Sequence, residues 1–208
     1  MTALNPELAA YLEPMAGFGL MLRHPLVYAV PYFGVPENER LNQLLEFRKQ
    51  DLKKAIEKRD HHRFVFAHER PYRLAALREL HGEISTAELN PLILQVYVDS
   101  ENARDNYDDW FELLEPLTGT DPWQTLHELP DGEGGEFTIY RGGPVMGFSW
   151  TLDLEKAKWF ANRWDANGEL WTATVVKDNV IGYYDGRGET EVVAVYDHIQ
   201  HLITPFKE

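Results

Sequence analysis

Three short motifs in the last third of the chain carry side chains of distinct chemistry. Tyr140-Arg141-Gly142 closes an alternating, strand-like segment. Gly147-Phe148-Ser149-Trp150-Thr151 runs straight into a helical pattern. Gly188-Glu189-Thr190-Glu191-Val192-Val193 opens a further β-rich segment. A guanidinium can grip a pyrophosphate with paired hydrogen bonds. A carboxylate stabilises positive charge that develops in a transition state, and a nearby hydroxyl orients that carboxylate. Phe148, Trp150, Trp159 and Phe160 add flat stacking surfaces within sequence reach. Taken singly, each motif also has an ordinary reading. Arg141 suits a surface ion pair, and Ser149 and Thr151 suit capping or strand hydroxyls. Glu189 and Glu191 suit the solvent face of an edge strand, since residues two apart share a face. Phe160 and Trp164 suit core, leaving Trp159 the freer aromatic. The joint order of the three motifs is what points to chemistry.

That order resembles the mono-ADP-ribosyltransferases of the Arg–Ser–Glu class. In that family an Arg ends the first core strand, a Ser-Thr-Ser-like strand precedes a helix, and a Glu-x-Glu pair opens a later strand. The resemblance covers about residues 137–199. It implies that NAD is the substrate, that ADP-ribose passes to a macromolecular acceptor, expected to be protein, and that nicotinamide leaves. On this resemblance Glu191, Glu189, Ser149 and Arg141 are the catalytic set. Arg141, Gly142, Ser149, Trp150, Thr151 and Trp159 would hold NAD, and Tyr183 and Tyr184 would lie in an acceptor loop between Gly182 and Gly188. Glu rather than Gln at 189 resembles the arginine-modifying pattern. The chain departs from the family in placing Ser149 only eight residues after Arg141 and in reading Ser-Trp-Thr for Ser-Thr-Ser.

The residues fit the chemistry of such a reaction. Nicotinamide is already a cationic leaving group, so the demand falls on an oxocarbenium-like transition state, as in glycoside cleavage. Glu191 would stabilise that charge and hold the ribose 2′-hydroxyl. Arg141 would grip the pyrophosphate, Ser149 would orient Glu191, and Gly142 would let the nicotinamide amide reach backbone. Two other readings stay open: an NAD glycohydrolase using the same residues, and a non-catalytic interaction module with a degenerate transferase fold.

The elements that must position these groups follow from periodicity. Residues 1–35 are rich in Pro and Gly and read as short helical turns and irregular chain. Leu41, Leu44, Leu45, Leu52 and Ile56 recur at helical spacing, so a long amphipathic helix is expected over 36–59. A second helical region over 61–80 is interrupted at Pro71. Further helices are expected from Thr86, where Ser85 and Glu88 fit a capping box, over 100–114, and over 123–129. After the break at 131–135 the period changes. Strands are expected at 137–141, 170–176, 180–184, 191–196 and 199–204. One helix stands between them, where Ala157, Phe160, Ala161 and Trp164 form a stripe. The expected fold is α+β: a mostly helical part, 1–134, packing on or covering a compact, largely antiparallel, ADP-ribosyltransferase-like core with one helix, 135–208.

Composition bounds the rest. The 208 residues are 44% hydrophobic and 26% charged, ordinary for a globular chain. There is no Cys, which excludes disulfides, thiolate zinc sites and thiol nucleophiles. The apolar run 16–22 is far shorter than the ~20 residues of a membrane span. No basic segment of a signal peptide precedes it, so no membrane partner and a cytoplasmic location are expected. The net charge is −14, with +5 over residues 48–73 and −13 over 74–140. An acidic whole argues against nucleic acid as partner. The basic segment 48–73 leaves an anion contact open, although a solvated helix face accounts for it. No metal is expected. His198 and His201, three apart on an expected strand, would face opposite ways. Residues 132–135 lack the strand–turn–helix setting of a dinucleotide motif.

Overall fold

In a sheet, proline is tolerated at edges and not between two partners, because it has no N–H to give to the ladder. The first 32 residues obey that rule in an unexpected way. In the structure, a computed structural model, the part from Leu12 to Tyr32 holds a three-stranded antiparallel sheet of β1 (Leu12–Met15), β2 (Gly19–His24) and β3 (Val27–Tyr32), with β2 in the middle. Pro14 lies in β1 and Pro31 in β3, the two edges, while β2 has none. One expected helical turn is found at Pro6–Ala9, and the sheet corrects the expectation of irregular chain over the rest of residues 1–35. The Pro and Gly content marks strand edges and turns here, with Gly17 and Gly19 in the left-handed region at the β1–β2 turn.

The structure describes residues 2–17, 19–100, 106–119, 128–130, 132–163, 168–186 and 188–207. The helix expected over 123–129 lies almost wholly outside them, as do Trp164 and residues 101–105. The chain divides into two compact units, Met1–Ser85 and Thr86–Glu208.

In the first unit a short α1 (Pro6–Ala9) precedes the sheet, and α2 (Val35–Lys58) follows it. Leu41 and Leu45 of α2 are buried with Leu8, Leu22, Leu26 and Val27 in one cluster. Then come α3 (His61–Ala67) and α4 (Arg73–Leu80), separated by a 3-10 turn at Arg70–Tyr72 that contains Pro71. The +5 segment therefore lies on the second half of α2, α3 and the turn after it.

The second unit opens with α5 (Thr86–Asp99), whose Leu89, Leu92, Ile93, Leu94, Val96, Tyr97 and Val98 are all buried. A helix apolar almost all round must be enclosed. It is therefore grouped with the strands, as is α6 (Tyr107–Leu114). The compact unit thus begins at 86, whereas the expectation placed these helices with region 1–134. Next come β4 (Glu136–Gly142), β5 (Ser149–Thr151), α7 (Leu154–Ala161), β6 (Leu170–Val176), β7 (Gly182–Tyr184) and β8 (Glu191–Val193). α8 (Tyr196–Ile199) and β9 (Thr204–Pro205) end the chain. The strands form one antiparallel sheet in the order β7-β8-β5-β4-β6-β9. The fold is α+β, with two antiparallel sheets among the described residues. The strand expected over 199–204 is corrected: α8 and a 3-10 turn at Gln200–Leu202 take up most of it. His198 and His201 are thus helical, not on a strand.

One buried ring in the first unit couples its stability to pH. His24 is 5% exposed and lies edge-on to Tyr11 at 4.8 Å. Its Nδ1 accepts the Leu26 N–H at 3.1 Å, and its Nε2 faces Glu7 Oε1 at 3.4 Å. Burial lowers its pKa, with Glu7 opposing. Because the folded value is depressed, the unfolded chain binds the proton first. Stability is whole above the unfolded value of about 6.5 and falls as the pH drops toward and through the folded value. Hydrogen exchange at the β2 amides, measured from about pH 8 to pH 5, is expected to show that loss. His24→Asn keeps an acceptor for Leu26 and is expected to flatten it.

Candidate functional site

Residues paired across an antiparallel ladder point to the same face of the sheet. Tyr184 pairs with Glu191, Glu191 with Thr151, Thr151 with Tyr140, and Tyr140 with Thr172. One polar row therefore crosses five strands on one face, with Ser149 and Val193 paired in the next row. The other face is apolar. Ile139, Trp150, Ala173, Val175, Tyr183 and Val192 are buried there in one cluster. The motifs at 141, 149–151 and 191, spread over fifty residues of chain, thus meet on the adjacent strands β4, β5 and β8.

The Thr151 hydroxyl joins two backbone groups and a second hydroxyl. It donates to the Glu189 carbonyl at 2.7 Å, lies 2.9 Å from the Thr190 hydroxyl, and accepts the Asp153 N–H at 3.0 Å. Asp153 in turn caps α7, accepting from the Glu155 and Lys156 amides. Thr190 has φ 45, left-handed and costly for a β-branched residue. Its N–H donates to Asp185 Oδ1 at 3.3 Å and its carbonyl accepts the Leu152 N–H at 3.1 Å. β8 starts only after it, at Glu191. The expectation that Glu189 and Glu191 share one strand face is therefore corrected: a left-handed residue stands between them, and Glu189 precedes the strand. Glu191 is buried, at 8% exposed, while Glu189 is half-buried.

Arg141 follows Tyr140 and so leaves the sheet on the opposite side from the polar row. Its guanidinium turns onto the backbone of the β4–β5 loop. Nε donates to the Pro144 carbonyl at 2.8 Å, one terminal nitrogen to the Met146 carbonyl at 3.1 Å, and the other to the Ser149 carbonyl. A Cβ on Gly147 would overlap the guanidinium. Arg141 here fixes the loop that delivers Ser149 to the sheet.

Other expected site residues are placed differently. Gly142 lies under α7. A Cβ there would overlap the Ala157 carbonyl oxygen and the Ala161 amide nitrogen. Its lack of a side chain admits a helix backbone, where the expectation had a nicotinamide amide. Trp150 is corrected from cofactor contact to core: it is 2% exposed on the apolar face, and its indole N–H has no partner among the described residues. Trp159 is two residues from Ala157 and from Ala161, the buried side of α7, and so projects away from the sheet. It is 53% exposed, with the Arg163 guanidinium 4.8 Å over its ring. Tyr183 is core, and Tyr184 belongs to the polar row beside Glu191, so both are strand residues of β7 and not loop residues.

One residue escaped the sequence reading. Tyr97 of α5 is 3% exposed, and its hydroxyl lies 2.7 Å from Ser149 Oγ. Its ring stands edge-on to Trp110 at 5.1 Å and to Phe148 at 6.0 Å. Burial and then the Glu191 charge push its pKa up, with the Ser149 hydrogen bond and Arg141 acting the other way. The phenol therefore stays protonated. The signal was a lone Tyr among the apolar residues around Gln95 in 92–98, since a buried phenol must find a partner. Next to it, Tyr107 stacks on Phe148 at 4.7 Å and faces Asp197 at 3.4 Å. Burial and that carboxylate push its phenol up to about 12.

No protein-family model, curated protein or solved structure matches the chain. Among the described residues no cluster of His, Asp and Glu is gathered to hold a metal ion, and no helix is long and apolar enough to cross a membrane.

Two substitutions measure how the site is held. Thr151→Val keeps the shape and strands three polar backbone and hydroxyl partners. It is expected to cost about 1–3 kcal/mol in denaturant unfolding followed by tryptophan emission, with Thr151→Ser costing less. Gly142→Ala drives a methyl into helix backbone that has no flexible end to yield, and the expected loss by the same measurement is about 1–3 kcal/mol.

Proposed function

We propose that the unit Thr86–Glu208 cleaves NAD at the bond between nicotinamide and ribose and passes ADP-ribose to an arginine-type acceptor on a macromolecule. The observation that carries this reading is the adjacency of β4, β5 and β8. It sets the Ser-x-Thr strand and Glu191 in neighbouring rows of one face, with Arg141 at the end of β4 clamping the loop that leads into Ser149, an arrangement that supports the ADP-ribosyltransferase-like reading. Bond cleavage leaves the electron pair on the nicotinamide nitrogen, which becomes neutral, and positive charge grows on the ribose. Glu191, buried beside the Thr151 and Tyr184 positions, meets that charge with little water to screen it. Ser149 orients Glu191 from the next row. A guanidino nitrogen of the acceptor then bonds to the ribose carbon and gives up a proton, which Glu189 takes. Arg141, expected to grip the pyrophosphate, acts instead by holding residues 144–149 through the three carbonyls its guanidinium meets.

The test is nicotinamide release from NAD and ADP-ribose transfer to a guanidino acceptor such as agmatine. Glu191→Gln keeps the shape and removes the charge, and release is expected to fall about 10²–10³-fold. Glu189→Gln is expected to cut transfer while sparing much of the slow hydrolysis of NAD. Wild-type release by Glu191→Gln sinks the reading. Release without transfer by the wild type, to agmatine or to proteins of a lysate, leaves an NAD glycohydrolase.

A further inference from the structure

We infer that Tyr97 is a positioning residue for the reaction, holding the Ser149 hydroxyl so that its proton is directed toward the Glu191 side of the site; this rests on the function proposed above. Ser149 Oγ has the Tyr97 phenol at 2.7 Å, and its own carbonyl is held by Arg141. Both ends of the serine are thus fixed, one from α5 and one from β4. Ser149 and Glu191 stand diagonally on one face of the β5–β8 pair, where cross-strand neighbours of this kind lie within reach of a long side chain.

Either oxygen of the Tyr97–Ser149 pair can donate, and burial favours the phenol as donor, since an enclosed phenol must place its proton on a partner and Ser149 Oγ lies 2.7 Å away. The phenol is enclosed by Trp110 and Phe148, is 3% exposed, and remains protonated. A protonated phenol that donates to Ser149 Oγ leaves the serine proton for a second acceptor. The carboxylate of Glu191 is the charged acceptor of that face, and hydrogen bonds to an ionised group are the stronger kind. Tyr97 touches neither substrate nor reacting atoms. Its contribution is orientation, which a site built on rigid elements needs from its supporting groups.

The closing experiment compares steady-state nicotinamide release by wild type, Tyr97→Phe, Ser149→Ala and the double variant, with NAD varied. Tyr97→Phe keeps the ring in its aromatic setting and removes one oxygen. Its kcat is expected to fall roughly tenfold, the worth of one oriented hydrogen bond in a water-poor site, with KM for NAD within about twofold. Tyr97→Phe is expected to add nothing in the Ser149→Ala background, because the phenol acts only through that hydroxyl. An unchanged kcat, a loss carried by KM, or full additivity with Ser149→Ala overturns the role of Tyr97 and leaves the proposed activity standing. Absence of release by the wild type overturns the activity and the inference together. Should Tyr97→Phe lose its native melting transition, a fluorinated tyrosine at 97 takes its place. That replacement keeps the hydrogen bond while shifting phenol acidity. A changed kcat in the wild-type background that vanishes with Ser149→Ala supports the inference, and an unchanged one overturns it.

Discussion

The second unit hangs on the Thr151 hydroxyl. One oxygen ties the central strand of the site, the start of α7 and the turn before β8 into a single fixture. The turn needs it, because Thr190 occupies a left-handed conformation that a β-branched residue adopts only when its surroundings impose it. The hydroxyl partner on Thr151, the Asp185 carboxylate on the Thr190 amide and the Leu152 amide on its carbonyl supply that imposition. The ladder to β5 and β7 then holds Glu191 on the face of Thr151 and Tyr184, with Val192 turned into the apolar layer beside Trp150.

Two glycines set the remaining geometry by what they leave out. Gly142 allows α7 to rest its backbone directly on β4, and Gly147 leaves room for the Arg141 guanidinium. Arg141 in turn satisfies carbonyls that a tight loop between antiparallel strands cannot pair within itself. The shortness of the Arg141–Ser149 connection, eight residues, explains why the arginine serves as a clamp. A long side chain at the end of one strand reaches across to the first carbonyl of the next and fixes the loop between.

Where hydrophobic period alone decides structure, the sequence was readable. The segment 170–176 alternates and is β6, Ala157 and Ala161 of the expected stripe are the buried side of α7, and 36–59 is α2 within a residue at each end. It was unreadable where proline and glycine have two meanings. The same residues that signal irregular chain also mark the edge strands β1 and β3, and only the position of Pro-free β2 between them separates the cases. In the site, the motifs on β4, β5 and β8 were legible as types at a spacing. The roles of Gly142, Trp150 and Trp159 were not, because each depends on which face of an element is covered. Tyr97 lies fifty-two residues from Ser149, and a contact of that range has no local trace.

The two glutamates show why spacing understates chemistry. On a regular strand, residues 189 and 191 would share a face, a solvent exposure and so a role. The left-handed Thr190 breaks that equivalence. It leaves Glu189 half-buried ahead of the strand, with its carbonyl engaged by Thr151. It sets Glu191 in the sheet at 8% exposure, in a row between Thr151 and Tyr184. A buried carboxylate is costly to keep charged, and the same loss of solvent makes its attraction for a developing cation larger. A half-exposed carboxylate has neither property, but it can meet a second molecule. One strained residue between two identical side chains is therefore enough to give them different electrostatic environments. The proposed division between stabilising a charge inside the site and receiving an acceptor at its edge rests on that difference.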